Sequence, residues 1–258
     1  MSHIFLFDMD GTLTPPREQM TNEIEAMLSN LQNLGHDIGI ITGSDMNYVK
    51  QQCSNIFDLS QVKPSKIHFL PCNGTKYYYG DKEQYSMNMR TKYSEDKWNS
   101  LMKFLLRSQS AIAEKYNIPL TGHFINYRES LINWCPIGRN ASTEDRQIFE
   151  RKNNSTINES IRTIYLKKIN DFLIFNDMDI KVKLGGDTSF DIFPTGWDKS
   201  YPIEKQLFKD CKIHFVGDRC NPHGNDWEIY NHQVVSGHKT TNPEHTIEIV
   251  NKILSQIV

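Results

Sequence analysis

This 258-residue sequence has few cysteines, a small net charge and no long apolar run. The five cysteines are scattered and form no CxxC pair, which excludes a disulfide scaffold and a zinc site and indicates free thiols in a reducing cytoplasm. A net charge of −2 gives no electrostatic reason to expect nucleic acid as a partner. Because no apolar run approaches the roughly 20 residues of a membrane span and the N-terminus lacks a basic signal region, we expect no membrane association.

Apolar strands alternate with amphipathic helices at both ends of the chain. Segments typical of strands buried in a parallel sheet lie at residues 4–7, 38–41, 67–70 and 213–216. A helix is predicted between the first two strands, with Thr21 as its N-cap and Gly35 as its C-cap, and another begins at Pro243. This order predicts a doubly wound, Rossmann-like α/β core with a parallel sheet.

The middle of the chain has a different pattern, in which helix and strand signals are mixed. Helices are predicted at Glu95–Tyr116, from about Ser142 and at Asn158–Phe175. Candidate strands lie at residues 123–127, 131–134, 180–184 and 189–193. We therefore expect an α+β cap domain at residues 82–184, inserted into a catalytic core formed by residues 1–81 and 185–258.

The sequence DMDGTLT at residues 8–14 directly follows the first predicted strand. The carboxyl end of a parallel strand is where α/β proteins bind ligands. Asp8 can attack phosphorus as a carboxylate, and Asp10 can act as general acid and base on the hydroxyl that leaves or attacks. Gly11 allows the sharp backbone turn that a bound phosphate requires. A simple Asp-Gly turn is the alternative, and the buried strand before the complete heptad argues against it.

This heptad resembles the first motif of the haloacid dehalogenase-like superfamily, and later segments follow in that superfamily's order. The resemblance implies that Thr42, in the sequence IITGS at residues 40–44, hydrogen-bonds a phosphoryl oxygen, with Ser44 as a second candidate. It also implies that Lys199 neutralises the charges of the phosphoryl group and the nucleophile. For an isolated lysine, a solvated surface position is the ordinary alternative.

The same resemblance implies a magnesium site at the end of another apolar strand, in the sequences FVGD at 215–218 and GND at 224–226. Magnesium prefers hard oxygen ligands and keeps some of its waters. Asp8, the backbone carbonyl of Asp10 and Asp218 would bind the ion. Asn225 and Asp226 would orient those ligands or waters.

Later segments resemble the eukaryotic-type phosphomannomutases of this superfamily, and the similarity covers essentially the whole chain. They read NYR at 126–128, CPIGR at 135–139, EDR at 144–146 and GGDTSFDIFPTGWDK at 185–199. The resemblance implies interconversion of mannose 6-phosphate and mannose 1-phosphate, which supplies mannose 1-phosphate for GDP-mannose synthesis. It further implies Mg²⁺ as cofactor, a hexose 1,6-bisphosphate as activator, and a homodimer joined through the cap.

The family also implies a set of substrate-binding residues. By position these are Arg17, Arg128, Arg139, Arg146, Ser189 and Asp191. The cap arginines would bind the distal phosphate, because a planar guanidinium binds phosphate in bidentate fashion. A surface salt bridge is the alternative for each arginine taken singly. One departure concerns His232, which stands where the family has the acidic ligand of a second cation.

Two enzyme classes share the core motifs of this sequence. A mutase passes the phosphoryl group from sugar to enzyme and back, whereas a magnesium-dependent sugar-phosphate phosphatase hydrolyses the same Asp8 intermediate. They differ in water exclusion, because a mutase must grip both orientations of its bisphosphate. The three cap arginines favour the mutase. A catalytically inactive binding module would require a lost motif, and none is lost.

Overall fold

The computed structural model describes residues 2–57, 61–154, 159–222 and 224–257. The chain forms two compact units, which we call the core unit (residues 1–86 and 196–258) and the insert unit (residues 87–195). Among the described residues, no helix combines the length and the apolar character that crossing a bilayer requires.

The elements follow one another in three stretches. The first stretch of the core unit contains β1 (Ser2–Phe7), α1 (Asn22–Asn33), β2 (Asp37–Ile41), α2 (Met46–Gln52), α3 (Ser54–Phe57), β3 (Ile67–Leu70), β4 (Lys76–Tyr79) and β5 (Lys82–Ser86). The insert unit contains α4 (Glu95–Tyr116), β6 (Ile125–Tyr127), β7 (Ile132–Trp134), α5 (Thr143–Asn153), α6 (Ile161–Phe175), β8 (Ile180–Gly185) and β9 (Ser189–Pro194). The chain returns to the core unit with α7 (Tyr201–Glu204), β10 (Cys211–Gly217), α8 (Trp227–Tyr230), β11 (Val235–Lys239) and α9 (Pro243–Ile257). Short 3₁₀ turns lie at Pro64–Lys66, Cys72–Gly74 and Met89–Lys92.

The described strands of the core unit form one sheet in the order β11-β10-β1-β2-β3-β4-β5. The strands from β11 to β3 are parallel, and β4 and β5 add to the edge as an antiparallel hairpin. Phe5 and Phe7 of β1 pack into an apolar cluster that includes residues of α1 and α9. Ile4 and Leu6 pack into a second cluster with residues that follow the insert unit. Because alternate residues of a strand face opposite sides, β1 is buried on both faces, and the predicted doubly wound α/β core is confirmed.

Capping residues fix several helix ends where the sequence predicts them. The side chain of Thr21 accepts a hydrogen bond from the Ile24 amide at 3.5 Å and begins α1. Gly35 follows that helix with a φ of 81°, which a residue without a Cβ adopts easily. Ser94 caps α4 in the same way, and the left-handed Asn117 ends it. Ser142 begins α5 with a capping box.

The insert unit contains an antiparallel sheet in the order β6-β7-β9-β8, together with helices α4, α5 and α6. Trp134 stacks on Phe190 at a centroid distance of 4.9 Å and ties β7 to β9. The first strand is shorter than predicted, because His123 has a φ of 51° and cannot continue an extended strand. The helix predicted from Asn158 begins at Ile161, and residues 155–158 lie outside the described part of the chain.

Both boundaries between the compact units lie later in the chain than the domain boundaries expected from sequence. Strand β5 pairs with β4 and keeps residues up to 86 in the core unit, whereas β9 pairs with β8 and keeps residues up to 195 in the insert unit. Strand pairing is invisible in an apolar pattern, and this explains the difference. The assignment of residues 82–184 as a functional cap domain stays a prediction.

Candidate active site

Residues that the sequence predicts to act on phosphate follow neighbouring strands of the core sheet. Asp8 follows β1, Thr42 follows β2 and Asp218 follows β10. These strands are parallel neighbours, so their carboxyl ends share one edge of the sheet. The Asp8 amide continues the strand pairing by donating to the Val216 carbonyl at 2.9 Å. The sheet therefore holds the backbone of Asp8 beside the segment that carries Asp218.

Lys199 connects two carboxylates at this edge. Its side chain is fully buried, and its Nζ contacts Oδ1 of Asp8 and lies 2.6 Å from Oδ1 of Asp226. The other oxygen of Asp226, Oδ2, accepts a hydrogen bond from the Arg219 amide at 2.9 Å. Sequence reasoning predicted the partnership of Lys199 with Asp8, and the structure brings them together. The bridge from Lys199 to Asp226 was not foreseen.

The electrostatics of this cluster follow from burial and charge together. Burial raises the pKa of Asp8 well above its usual range; Lys199 opposes this rise, and the negative charges of Asp226 and Asp218 add to it. Burial also raises the pKa of Asp218, with Asp226 as the next cause. Burial alone would lower the pKa of Lys199, but Asp226 and Asp8 raise it above its ordinary value. Lys199 therefore stays charged and stabilises the carboxylate form of Asp8.

The acidic side chains fit a divalent cation. Asp8, Asp218 and Asp226 each offer an oxygen, and these atoms all lie within 4.8 Å of one another. Two nearby buried acceptors, Oδ1 of Asp218 and Oδ1 of Asn225, have no hydrogen-bond partner in the described part of the chain. Unsatisfied oxygens beside concentrated negative charge are the donor set that Mg²⁺ prefers. Both oxygens of Asp226 already accept hydrogen bonds, which favours Asp8 and Asp218 as the direct ligands.

Two glycines make room for the carboxylates. A Cβ on Gly11, whose φ is 83°, would lie 2.7 Å from Oδ2 of Asp218. A Cβ on Gly217 would lie 2.6 Å from Oδ2 of Asp226. Both separations are shorter than real Cβ contacts, so larger residues would displace the acidic groups. Gly11 was predicted to matter for a backbone turn, and its close approach to Asp218 is a further reason for glycine there.

Asp10 is held by two donors at one oxygen. Its Oδ1 accepts hydrogen bonds from the Arg17 amide at 3.1 Å and from the Tyr48 hydroxyl at 2.9 Å. Arg17, predicted to bind substrate, is exposed and has a φ of 67°, an uncommon conformation for a non-glycine residue. Tyr48 was missed by sequence reasoning, because nothing in the pattern distinguishes it from any other tyrosine on a short helix.

Thr42 and Ser44 lie in a loop that is hydrogen-bonded to two residues with left-handed backbone, Cys72 and Asn73. Thr42 is buried, and its Oγ1 accepts a hydrogen bond from the Ser44 amide at 3.1 Å. The amides of Cys72 and Asn73 donate to the carbonyls of Ser44 and Thr42, each at 2.8 Å. Cys72 and Asn73 have φ values of 52° and 61°. Left-handed non-glycine residues cluster at functional sites, so this segment supports the predicted role of the loop.

Two of the arginines predicted to bind substrate join polar networks in the insert unit. Arg139 donates to Oδ1 of Asn133 at 3.5 Å, and the side-chain Nδ2 of Asn133 donates to Oδ1 of Asp191 at 2.7 Å. Arg146 donates to the Thr188 hydroxyl at 2.8 Å and to the Arg139 carbonyl at 3.4 Å. The predicted residues Arg139, Arg146 and Asp191 are thus brought together within this unit. Sequence reasoning missed the connecting Asn133 and Thr188.

The remaining predicted residues of the insert unit are positioned through backbone contacts. Arg128 is 8% exposed and begins a turn in which its amide donates to the Leu131 carbonyl at 2.8 Å. The Ser189 hydroxyl donates to the Gly185 carbonyl at 2.7 Å. Arg162, which sequence reasoning missed, donates to the carbonyls of Gly186 and Ser189 at 2.9 and 2.8 Å. It thereby fixes the turn that carries Ser189.

His232 and His214 both lie in the core unit. His232, proposed as the altered position of a second cation site, lies 3.0 Å from Oε1 of Glu204 through its Nε2. Its Nδ1 accepts a hydrogen bond from the Val234 amide at 3.4 Å. His214 is buried in β10.

Comparisons with known sequences agree on one family. A family model described as eukaryotic phosphomannomutase matches residues 24–256. The phosphomannomutase of Saccharomyces cerevisiae is 36% identical over 257 residues, which cover 98% of this chain and 94% of the yeast protein. The phosphomannomutase of Schizosaccharomyces pombe is 37% identical over 259 residues, with the same coverage of both chains. The Drosophila melanogaster phosphomannomutase is 33% identical and covers 97% of this chain and 95% of its own.

Comparison with solved structures supports the fold. A haloacid dehalogenase-like hydrolase from Bacteroides thetaiotaomicron superposes with a TM-score of 0.58 and 12% identity, covering 98% of this chain and 100% of its own. An IMP-bound, N-terminally truncated IMP-nucleotidase from Plasmodium falciparum gives a TM-score of 0.65 at 14% identity, over 98% of this chain and 68% of its own. At such identities the likeness concerns the fold alone.

Proposed function

This chain belongs to the eukaryotic phosphomannomutase family, and on that premise we propose that it interconverts mannose 6-phosphate and mannose 1-phosphate through an aspartyl-phosphate on Asp8. Phosphomannomutase activity is an isomerisation of a hexose phosphate, and this family implies a divalent metal, typically Mg²⁺. The observation that carries the proposal is the buried contact between Asp8 and the charged Lys199, beside two further carboxylates.

In the first half-reaction, Asp8 is the nucleophile. Its Oδ1 contacts Lys199, and its Oδ2 has no hydrogen-bond partner among the described residues, so Oδ2 is the oxygen available for attack. A bond forms between this oxygen and phosphorus while the bond from phosphorus to the sugar oxygen breaks. The sugar oxygen takes the electron pair and receives a proton from the Asp10 carboxyl. The resulting Asp10 carboxylate can remove a proton from the next sugar hydroxyl, so the second half-reaction reverses the first.

Lys199 supplies positive charge at the site of this transfer, and a bound metal would add to it. When bound, Mg²⁺ would be held by Asp8, Asp218 and the Asp10 carbonyl and would offset the negative charge of the phosphoryl group. Lys199 opposes the rise in the pKa of Asp8 that burial causes, and this favours the carboxylate form of the nucleophile. Thr42 and Ser44 would donate hydroxyl hydrogen bonds to phosphoryl oxygens. Asn225 and Asp226 would orient the ligands and waters of the metal.

The substrate sites follow from the remaining predicted residues. Arg17, Arg128, Arg139 and Arg146 would bind the substrate. The three cap arginines would bind the phosphate that is not being transferred, and Ser189 and Asp191 would bind the sugar hydroxyls. Support comes from the network that links Arg139 through Asn133 to Asp191, because it places a guanidinium and a carboxylate together. Such a pair can read a phosphate and a hydroxyl of one sugar. A hexose 1,6-bisphosphate would activate the enzyme by phosphorylating Asp8.

The cellular setting belongs to the same proposal. Mannose 1-phosphate would be supplied for GDP-mannose synthesis in the cytoplasm, and the free state of all five cysteines fits a reducing compartment.

A homodimer through the insert unit is supported by its exposed apolar residues, of which Ile174 is 78% and Phe175 is 88% exposed. Light scattering of wild type and Phe175→Ser tests the dimer, which the substitution should weaken.

An assay with mannose 1-phosphate, with and without glucose 1,6-bisphosphate, tests the mutase proposal. We expect mannose 6-phosphate to form faster than free phosphate and to require the bisphosphate. A charge-assisted Arg–phosphate bond contributes roughly 1.5–3 kcal/mol, so Arg139→Ala should lower kcat/KM about tenfold to a hundredfold. Hydrolysis of p-nitrophenyl phosphate, which has no distal phosphate, should barely change.

The matched control is Arg107→Ala, since Arg107 is exposed on the same insert unit and has no predicted role. It should leave both activities unchanged. Faster release of phosphate than formation of mannose 6-phosphate by wild type would favour a sugar-phosphate phosphatase instead. Equal loss of both activities in Arg139→Ala would contradict the distal-phosphate role.

A further inference from the structure

The side chain of Asp10 is hydrogen-bonded at only one of its two oxygens. Oδ1 accepts from the Tyr48 hydroxyl at 2.9 Å and from the Arg17 amide at 3.1 Å. Oδ2 has no partner in the part of the chain that the structure describes. The two oxygens of this carboxyl are therefore in different environments, and Tyr48 supplies the only side-chain donor among the described residues.

This asymmetry distinguishes the two oxygens of the carboxyl. An oxygen that accepts two N–H or O–H bonds uses its lone pairs for those donors. Oδ2 is therefore the oxygen left for a contact with substrate, and the hydrogen bond from the Tyr48 hydroxyl holds the carboxyl in this orientation. We propose that Tyr48 is a positioning residue of the phosphoryl transfer, which presents Oδ2 of Asp10 to the sugar oxygen.

The helix α2 is built to hold Tyr48 in this position. Asp45 caps the helix by accepting from the Tyr48 amide at 2.9 Å, so the residue that aims at Asp10 lies in the capped first turn. The next residue, Val49, is fully buried in the core cluster, and Tyr48 packs partly against the same cluster. The carbonyl of Gln52 at the far end accepts from the Met20 amide at 2.9 Å. The helix is thus capped at its N-terminal end and hydrogen-bonded at its C-terminal end to the segment that precedes α1.

This inference rests on the proposed role of Asp10 as general acid, and the experiment must separate the two ideas. A sugar oxygen is a poor leaving group and needs a proton as its bond to phosphorus breaks, whereas p-nitrophenolate leaves without one. Rapid-quench measurement of Asp8 phosphorylation from glucose 1,6-bisphosphate and from p-nitrophenyl phosphate therefore isolates the proton transfer. A general loss of structure would slow both donors alike.

For Tyr48→Phe we expect phosphorylation by the bisphosphate to slow about tenfold, with phosphorylation by p-nitrophenyl phosphate within about twofold of wild type. Tyr78→Phe is the matched control, because the Tyr78 hydroxyl also donates to a carboxylate, Oε2 of Glu83 at 2.8 Å, away from Asp10. It should leave both rates unchanged. Asp10→Asn is the reference variant and should slow the bisphosphate reaction by about a hundredfold or more while sparing the nitrophenyl reaction.

Equal slowing of both donors in Tyr48→Phe, or no slowing of either, would overturn the positioning role of Tyr48. If Asp10→Asn nevertheless slows only the bisphosphate reaction, the proposed function stands without Tyr48. If Asp10→Asn slows both donors equally, the acid role of Asp10 fails, and the inference about Tyr48 fails with it.

Discussion

Replacing Lys199 by Met is the perturbation that bears most directly on the electrostatics of the site. The ammonium group is fully buried between Asp8 and Asp226, with Asp218 close by. Met has a similar length and no charge, so the change leaves three clustered carboxylates without their cation. Breaking a buried ion pair by removing one partner costs about 3–5 kcal/mol of unfolding free energy.

The loss of unfolding free energy in Lys199→Met should be larger at high pH than at low pH. Burial raises the pKa of Asp8, and Lys199 is the largest opposing influence, so its removal raises that pKa further. A carboxyl with a raised folded-state pKa holds its proton in the folded protein at a pH where the unfolded chain has released it. Stability is therefore lost as pH rises through the folded pKa. The variant should be destabilised by about 3–5 kcal/mol at pH 8 and by clearly less at pH 5.

Urea unfolding of wild type and Lys199→Met at both pH values, with and without Mg²⁺, measures these effects. Magnesium should restore part of the stability of the variant, because it supplies positive charge to the same carboxylates. The control is Lys239→Met, since Lys239 is exposed in the same unit and its loss should change stability by less than about 0.5 kcal/mol. A pH-independent loss below about 1 kcal/mol, or no effect of Mg²⁺ on the variant, would refute the reasoning.

Three further predictions concern neighbouring features. Burial, followed by His238 and His3, lowers the pKa of His214 to about 4. His214 should therefore lower the unfolding free energy by at most about 3 kcal/mol as pH drops from about 6.5 to 4. The variant His214→Phe should flatten that dependence in denaturant titrations. Gly217→Ala places a Cβ 2.6 Å from Oδ2 of Asp226 and should lower both kcat and thermal stability, the latter by about 1–3 kcal/mol in calorimetry. Asp218→Asn should raise the Mg²⁺ concentration for half-maximal activity about tenfold or more, and an unchanged concentration would remove Asp218 from the metal site.

Local sequence signals predicted those parts of the fold that are fixed by nearby residues. Helix α4 runs from Glu95 to Tyr116 as expected, because Ser94 caps one end and Asn117 turns left-handed at the other.

Asp8 and Lys199 are 191 positions apart, yet both were identified. They were identified because each belongs to a motif of the resembled family, and spacing alone would not have paired them.

The parts that sequence could not predict depend on pairing between distant segments. Asn133 joins Arg139 to Asp191 only because β7 lies beside β9, a register that no local pattern encodes. Tyr48 reaches Asp10 across 38 positions because α2 packs on the core sheet. The unit boundary near residue 86 depends likewise on the hairpin of β4 and β5. In each case the missing information is a tertiary contact and not a residue preference.

Trapping the phosphoenzyme shows whether the phosphoryl group passes through Asp8. Wild type and Asp8→Asn are mixed with glucose 1,6-bisphosphate that carries a labelled phosphate, quenched in acid, digested and mapped. We expect a hydroxylamine-sensitive label on the peptide that contains Asp8 in wild type only. On addition of unlabelled mannose 1-phosphate, this label should move to hexose phosphate faster than to free phosphate. Label retained by Asp8→Asn, or label found on another residue, would contradict transfer through an aspartyl-phosphate on Asp8.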